Sequence, residues 1–153
     1  MIQFSPCKIN LGLSILEKRA DGFHALETVF YPLALQDIVE IVPAKLFAFS
    51  HTGISIPGDV SNNLCVKAYH LLKADFPEIS DVKIHLHKNI PMGAGLGGGS
   101  GDGTTVLILL NQLFELNLTQ KQLIEYAARL GSDCPFFIFN EACNATGRGE
   151  ILE

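Results

Sequence analysis

The sequence predicts an α+β domain of two layers, a sheet with helices packed on it, and three observations point that way. Strand-like segments come first along the chain and helical ones later, an order that favours a layered α+β domain over a regular βαβ array. Residues 81–88 alternate, with Val82, Ile84 and Leu86 on one face and Lys83, His85 and His87 on the other, the pattern of a half-buried strand. Thr104 to Leu116 is apolar nearly all round, as a helix at the centre of a domain is. With 153 residues and 48% hydrophobic content, the chain suits one ordinary domain with a real core.

Taken in order, Ile9 to Leu16, Thr28 to Leu35 and Ile38 to Val42 read as strands from their apolar spacing and their Val, Ile and Phe content. Arg19-Ala20-Asp21-Gly22-Phe23-His24 has the charge and Asp-Gly chemistry of a hairpin connection whose tip faces solvent or ligand. Phe47 to Ile56 supplies another strand or two. Pro57-Gly58-Asp59 then breaks the chain, and Ser61-Asn62-Asn63 offers N-caps for a helix from Leu64 to Ala74. After the strand at 81–88 comes a loop, Asn89 to Gly101, and then the central helix. Thr119 and Gln122 form a capping box and Gly131 a natural stop, which predicts a helix over Gln120–Leu130. Pro135 opens Phe136 to Phe139, which reads as a short aromatic strand. The last residues, Gly149 to Glu153, show neither a cap nor a polar tail, as expected of a chain cut from a longer one.

Composition excludes several classes. A formal charge of −5 without a local basic patch argues against nucleic acid as a partner. The N-terminus lacks the basic and long apolar segments of a secretory signal, and the longest apolar stretch, Val106 to Leu110, is far too short to cross a bilayer. Cys7, Cys65, Cys134 and Cys143 lack CxxC spacing and suit reduced thiols in a cytoplasmic protein. His85-x-His87 could serve a metal only if further ligands came near, and the solvated face of a strand explains both residues without one.

The strongest chemical signal is Pro91-Met92-Gly93-Ala94-Gly95-Leu96-Gly97-Gly98-Gly99-Ser100-Gly101-Asp102, with six glycines between Gly93 and Gly101, just ahead of a helix. Ordering so many glycines is entropically costly, and close approach of backbone N–H groups to an anion supplies a reason for it. A helix N-terminus adds unpaired N–H donors and partial positive charge, worth about 0.3–1 kcal/mol for an exposed anion. A flexible linker would be Ser-rich and would not sit between a strong strand and a buried helix. Gly93-x-Gly95-x-x-Gly98 matches the dinucleotide string, but here the preceding strand has a polar face and Asn89-Ile90-Pro91 intervenes. The Walker lysine is missing, since the glycines end in Ser100-Gly101-Asp102.

Pro91 to Ser100 resembles the P-x-G-x-G-L-G-S/G-S phosphate loop of the GHMP kinases. Ser5-Pro6-Cys7-Lys8-Ile9-Asn10-Leu11, Arg19 to His24 with Glu27-Thr28-Val29, and Gly131-Ser132-Asp133-Cys134-Pro135-Phe136-Phe137 resemble further segments of one branch of that family. Cys7 stands where alanine is usual, and Gly101 where serine or alanine is more frequent. Galactokinases and mevalonate kinases carry a G-E-H type segment near the start that this chain lacks. The resemblance implies a ribosomal protein S5 domain 2-like fold with a left-handed βαβ unit, a second C-terminal domain beyond this chain, ATP and Mg²⁺ as cofactors, and a small cytidyl substrate. It implies transfer of the γ-phosphoryl group to the 2-hydroxyl of 4-diphosphocytidyl-2-C-methyl-D-erythritol in the non-mevalonate isoprenoid pathway, with no membrane partner.

It also implies roles for residues. Asp133 is the expected general base, with Lys8 beside it to hold the carboxylate ionised and stabilise the transferring group. Lys8 is conspicuous without any resemblance, because a lysine in a strand must snorkel outward or find a partner. Asn10 is expected near the acceptor hydroxyl, Phe23 stacked on the cytosine and His24 bonded to its edge. Gly93, Ala94, Gly95, Leu96, Gly97, Gly98, Gly99, Ser100 and Gly101, following Pro91, are expected around the polyphosphate, with Ser100 on phosphate or Mg²⁺. Asn62, Asn63 and Leu64 are expected to face adenine, and Lys88 to supply a basic group ahead of the loop. Another GHMP kinase acting on a different small alcohol, or a nucleotide-binding module without chemistry, would share the glycine loop.

Overall fold

The computed structural model describes residues 1–18, 22, 24–147, 149 and 151–152. Two long antiparallel strands, β1 (Ile2–Lys18) and β2 (His24–Pro43), form its spine, with Lys8 opposite Pro32 and Lys18 opposite His24. The segments 28–35 and 38–42 therefore belong to one continuous strand. Gln36 and Asp37 break the apolar pattern in sequence, but the strand runs on through them, with Ala34 and Leu35 bulged where the β1 register shifts between Pro6 and Cys7. Of the hairpin connection, Arg19, Ala20, Asp21 and Phe23 lie outside the described residues.

On its other edge β2 pairs antiparallel with β4 (Val82–Lys88), through Ile38–Pro43, and with β5 (Cys143–Thr146), through Thr28–Phe30. A short β6 (Ile151–Leu152) extends β5. The strand β3 (Ala48–Gly53) lies parallel to β4, and the chain passes between them through α1 (Leu64–Asp75), which makes one βαβ unit. Asn63 caps α1, its Oδ1 accepting from the Cys65 amide at 2.9 Å.

The helices α2 (Gly98–Leu113), α3 (Gln120–Leu130) and α1 cover one face of the sheet. Val39, Ile41, Val82, Ile84 and Leu86 meet Val106, Leu107, Leu110, Leu72 and Ala127 there. On the opposite face His85 and His87 bond to the hydroxyls of Ser50 and Thr52 at 2.9–3.0 Å, so both imidazoles have partners. The α3 capping box forms as its sequence predicts. Its stop at Gly131 uses an extended backbone, φ 175°, which any residue adopts.

Two elements differ from expectation. The central helix begins at Gly98, six residues before Thr104, because its first turn is built from glycines whose low helix propensity hides it in the sequence. Residues Phe136–Phe139 form a helical turn, α4, and not a strand. Pro135 sits at φ −55°, ψ −34°, the Ile138 amide bonds back to its carbonyl at 3.1 Å, and Asn140 ends the turn in the left-handed region. Aromatic residues favour strands through packing, and here the packing is a satellite cluster in which Phe136 meets Phe30 and Phe137 edge-on. Among the described residues, no helix is long and apolar enough to cross a membrane.

Candidate active site

The glycine segment leaves the buried end of β4 and opens α2. Gly93, Gly95 and Gly97 take φ of 70°, 74° and 67°, the left-handed region where a Cβ is strained. Gly97 is the N-cap of α2 and brings no side chain to bond the first turn. The amides of Gly98, Gly99 and Ser100 thus have no intrahelical acceptor, whereas Gly101 already donates to the Gly97 carbonyl at 2.9 Å. Pro91 to Ser100, with Leu64, line an open cavity over these amides. Gly101 points elsewhere: a Cβ there would collide with the Pro6 carbonyl and lie 3.1 Å from Ser5 Oγ. Its glycine is required by helix-to-strand packing, and it lines no part of the cavity.

Strand β1 runs beneath this loop and is tied to it, for the Lys8 amide donates to the Leu96 carbonyl at 2.8 Å. The Lys8 side chain is 4% exposed. Its Nζ lies 3.3 Å from Asp133 Oδ2, 2.9 Å from Asn10 Oδ1 and 4.6 Å from the centre of the Phe30 ring. Asp133 is held by a turn after α3, where the Cys134 amide bonds to the Gly131 carbonyl at 3.2 Å. Thr104 on α2 donates to the Cys134 carbonyl at 3.0 Å, and Phe136 and Phe137 anchor the other side. With its side chain 31% exposed, Asp133 still opens to solvent. A Cβ on Gly97 would lie 3.2 Å from Lys8 Cε, so the ammonium, the carboxylate and the start of α2 share one small region.

A second cavity of about 240 Å³ adjoins the first through Leu64, Met92 and Gly99. Asn62, Asn63 and Leu64 line it together with Phe49, His51, Ile56, Pro57 and Val60. Sequence reasoning missed the latter five. The chain break at Pro57-Gly58-Asp59 beside an apolar strand was the available signal for them.

Lys88 also borders this cavity, but its ammonium is buried and engaged by Asp37 and by Asp102 Oδ2, the latter at 2.9 Å. Lys88 lies on the inward face of β4, two residues beyond Leu86, and Asp102 is a buried charge in the second turn of α2. Two charges placed on core faces each required a partner, a need the sequence shows without saying which residue meets it. His24 is exposed at the start of β2, and Phe23 lies outside the described residues. The nearby thiols of Cys65 and Cys134 are held protonated, burial pushing Cys65 well up and Cys134 to about 11.

The sequence model described as GHMP kinases N terminal domain matches residues 63–141, which is 79 of the 153. The 4-diphosphocytidyl-2-C-methyl-D-erythritol kinases of Bacteroides thetaiotaomicron and Cytophaga hutchinsonii are 54% and 50% identical to it. Each alignment covers 99% of this chain and, in turn, 57% and 56% of the relative, so the chain spans about half the length of the curated relatives it matches. A crystal structure of 4-(cytidine 5'-diphospho)-2C-methyl-D-erythritol kinase superposes with TM-score 0.85 at 37% identity, covering 100% of this chain and 54% of the other. The mevalonate kinase of Methanococcus jannaschii shares the fold at TM-score 0.71 and 14% identity, again over 100% of this chain and 55% of the other. Matched by its family across more than half of its length, the chain belongs to the GHMP kinases.

Proposed function

We propose that this chain forms the ATP-binding, N-terminal part of a cytoplasmic kinase that phosphorylates the 2-hydroxyl of 4-diphosphocytidyl-2-C-methyl-D-erythritol. The observation that carries the reading is the meeting of Lys8 and Asp133 beside the uncapped first turn of α2. The free amides of Gly98 to Ser100 suit a polyphosphate, and the adjoining cavity, with Phe49, Pro57, Val60 and Leu64 among its walls, suits a nucleobase. The high identity to relatives bearing this substrate in their names supports the choice of acceptor.

In the proposed step the acceptor hydroxyl gives its proton to the Asp133 carboxylate as its oxygen bonds to the γ-phosphorus. The bond from that phosphorus to the β,γ-bridging oxygen breaks, and ADP leaves. Lys8 keeps the carboxylate oriented through its 3.3 Å contact and places positive charge where the transferred group gathers negative charge. Asn10, on the same ammonium, is placed to orient the acceptor. Ser100, half-buried in the first turn and lining the loop cavity, offers a hard hydroxyl oxygen that fits Mg²⁺, an ion that binds few protein oxygens beside phosphates and water. When bound there, Mg²⁺ supplies charge neutralisation for the polyphosphate.

The test is transfer of labelled γ-phosphate in a protein extended to the relatives' full length, with 4-diphosphocytidyl-2-C-methyl-D-erythritol set against mevalonate, homoserine and galactose. The cytidyl alcohol is expected to be phosphorylated and the other three left unchanged. Turnover of one of those three, with none of the cytidyl alcohol, would contradict the reading.

A further inference from the structure

Beneath the glycine loop lies a group of charges that the proposed chemistry does not use. Lys88 is the last residue of β4 before the loop, and Asp102 is in the second turn of the helix after it. Lys88 Nζ reaches Asp102 Oδ2 at 2.9 Å, closing a ring around residues 89–101. The same ammonium bonds to Asp37 Oδ2, and the other oxygen of Asp37 accepts the amides of Asn89 and Ile90, the latter at 2.8 Å. All three side chains are at most 3% exposed. One carboxylate from β2 therefore fixes the direction in which the loop departs, and one ammonium ties its two ends together.

Removing two carboxylates and an ammonium from water is costly, and apolar residues of similar volume would serve stability as well or better. Such a group gives direction instead, since its hydrogen bonds hold only in one geometry. That geometry bears directly on the loop: a Cβ on Gly98 would lie 3.1 Å from Lys88 Nζ and 2.8 Å from Ile90 Cγ2, so the first helical residue rests on the clamped atoms.

We infer that Asp37, Lys88 and Asp102 are positioning residues that staple the glycine loop at its base and so set the geometry of the Gly98 to Ser100 amides that receive the polyphosphate. The inference rests on the nucleotide reading above for its ligand, but the staple itself has a readout that needs none.

Two measurements on the 153-residue chain test it: amide hydrogen exchange over residues 89–97, and the affinity for ATP with Mg²⁺ by calorimetry. Asp102→Ala is expected to speed loop exchange at least tenfold, with α3 unchanged, and to weaken ATP binding at least tenfold. Asp102→Asn, whose amide oxygen still accepts from Lys88, should stay within about threefold of wild type in both. Should Asp102→Ala fail to fold, the paired Lys88→Met/Asp102→Leu variant decides, because it replaces the buried ion pair by apolar volume. It should recover stability without recovering slow loop exchange or ATP affinity. Loop exchange unchanged in folded Asp102→Ala, or full recovery of loop protection by the apolar pair, overturns the staple. If wild type itself binds no ATP, the nucleotide reading fails, and exchange alone still decides whether the loop is stapled.

Discussion

A buried lysine beside a half-exposed aspartate is the residue-scale centre of this molecule. Lys8 has its stem packed and its ammonium shared among Asp133, Asn10 and the Phe30 ring, so it is both fixed and desolvated. Asp133→Asn removes the proposed proton acceptor while keeping the shape, and is expected to lower kcat about 10²–10⁴-fold with ATP affinity little changed. Steady-state kinetics with calorimetry checks this, and equal losses in both would point to a binding role. A second residue carries a pH signature. Burial, with Asp37 adding to it and Lys88 opposing, pushes Asp102 up to about 7. Burial pulls the Lys88 ammonium down, but the two carboxylates more than reverse it. The group moved toward neutral pH is the Asp102 carboxyl. Its folded pKa lies above the unfolded one, so its share of stability is present in acid and is lost as the pH rises from about 4 through about 7. Compared with Asp102→Asn, wild type is expected to lose stability across that window in urea titrations; a parallel response of both proteins would contradict it. Lys8 was legible from its place in a strand. The Asp37–Lys88–Asp102 group was legible only in part, because nothing in one sequence says which carboxylates fold against which lysine.

At the scale of elements, α2 does most of the positioning. Its glycines serve different neighbours: Gly97 turns the chain, Gly101 admits the Pro6 carbonyl of β1, and Gly103 admits Leu64 of α1, where a Cβ would lie 2.8 Å from Leu64 Cβ. Gly99 faces open space, with nothing within 4 Å of a Cβ. Gly101→Ala is therefore expected to destabilise by about 1–3 kcal/mol. Gly99→Ala should be neutral or stabilising by up to about 1 kcal/mol, through helix propensity. Urea unfolding of the two variants separates them, and equal losses would mean that the glycines are alike. Strand β4 and helices α1 and α3 were legible because their periodicity and caps agree with their packing. The start of α2 was not, since its glycines answer to close neighbours in β1, β4 and α1 and not to helix propensity. Helix α4 was misread because its aromatic composition reports on burial and leaves the backbone conformation open.

At the scale of the molecule, the sheet brings the start of the chain and its last third together. β1 carries Lys8 and Asn10, and the turn after α3 carries Asp133. The loop between β4 and α2 lies over both, pinned by the bond from the Lys8 amide to Leu96. No local pattern could state that meeting, and the resemblance to a family supplied it. The chain spans little more than half of its relatives, 56–57% of the two described above. The 153 residues alone are expected to bind ATP yet phosphorylate far more slowly than a protein of the relatives' length. Equal turnover by the two would mean that one half holds the whole site. The central claim is that polyphosphate sits on the bare amides at the start of α2. Amide ¹⁵N–¹H spectra of the chain, recorded as ATP with Mg²⁺ is added, test it most directly. The account predicts the largest shifts at Gly98, Gly99 and Ser100. Saturable shifts confined to other residues, with the Gly93 to Ser100 amides unmoved, would contradict it.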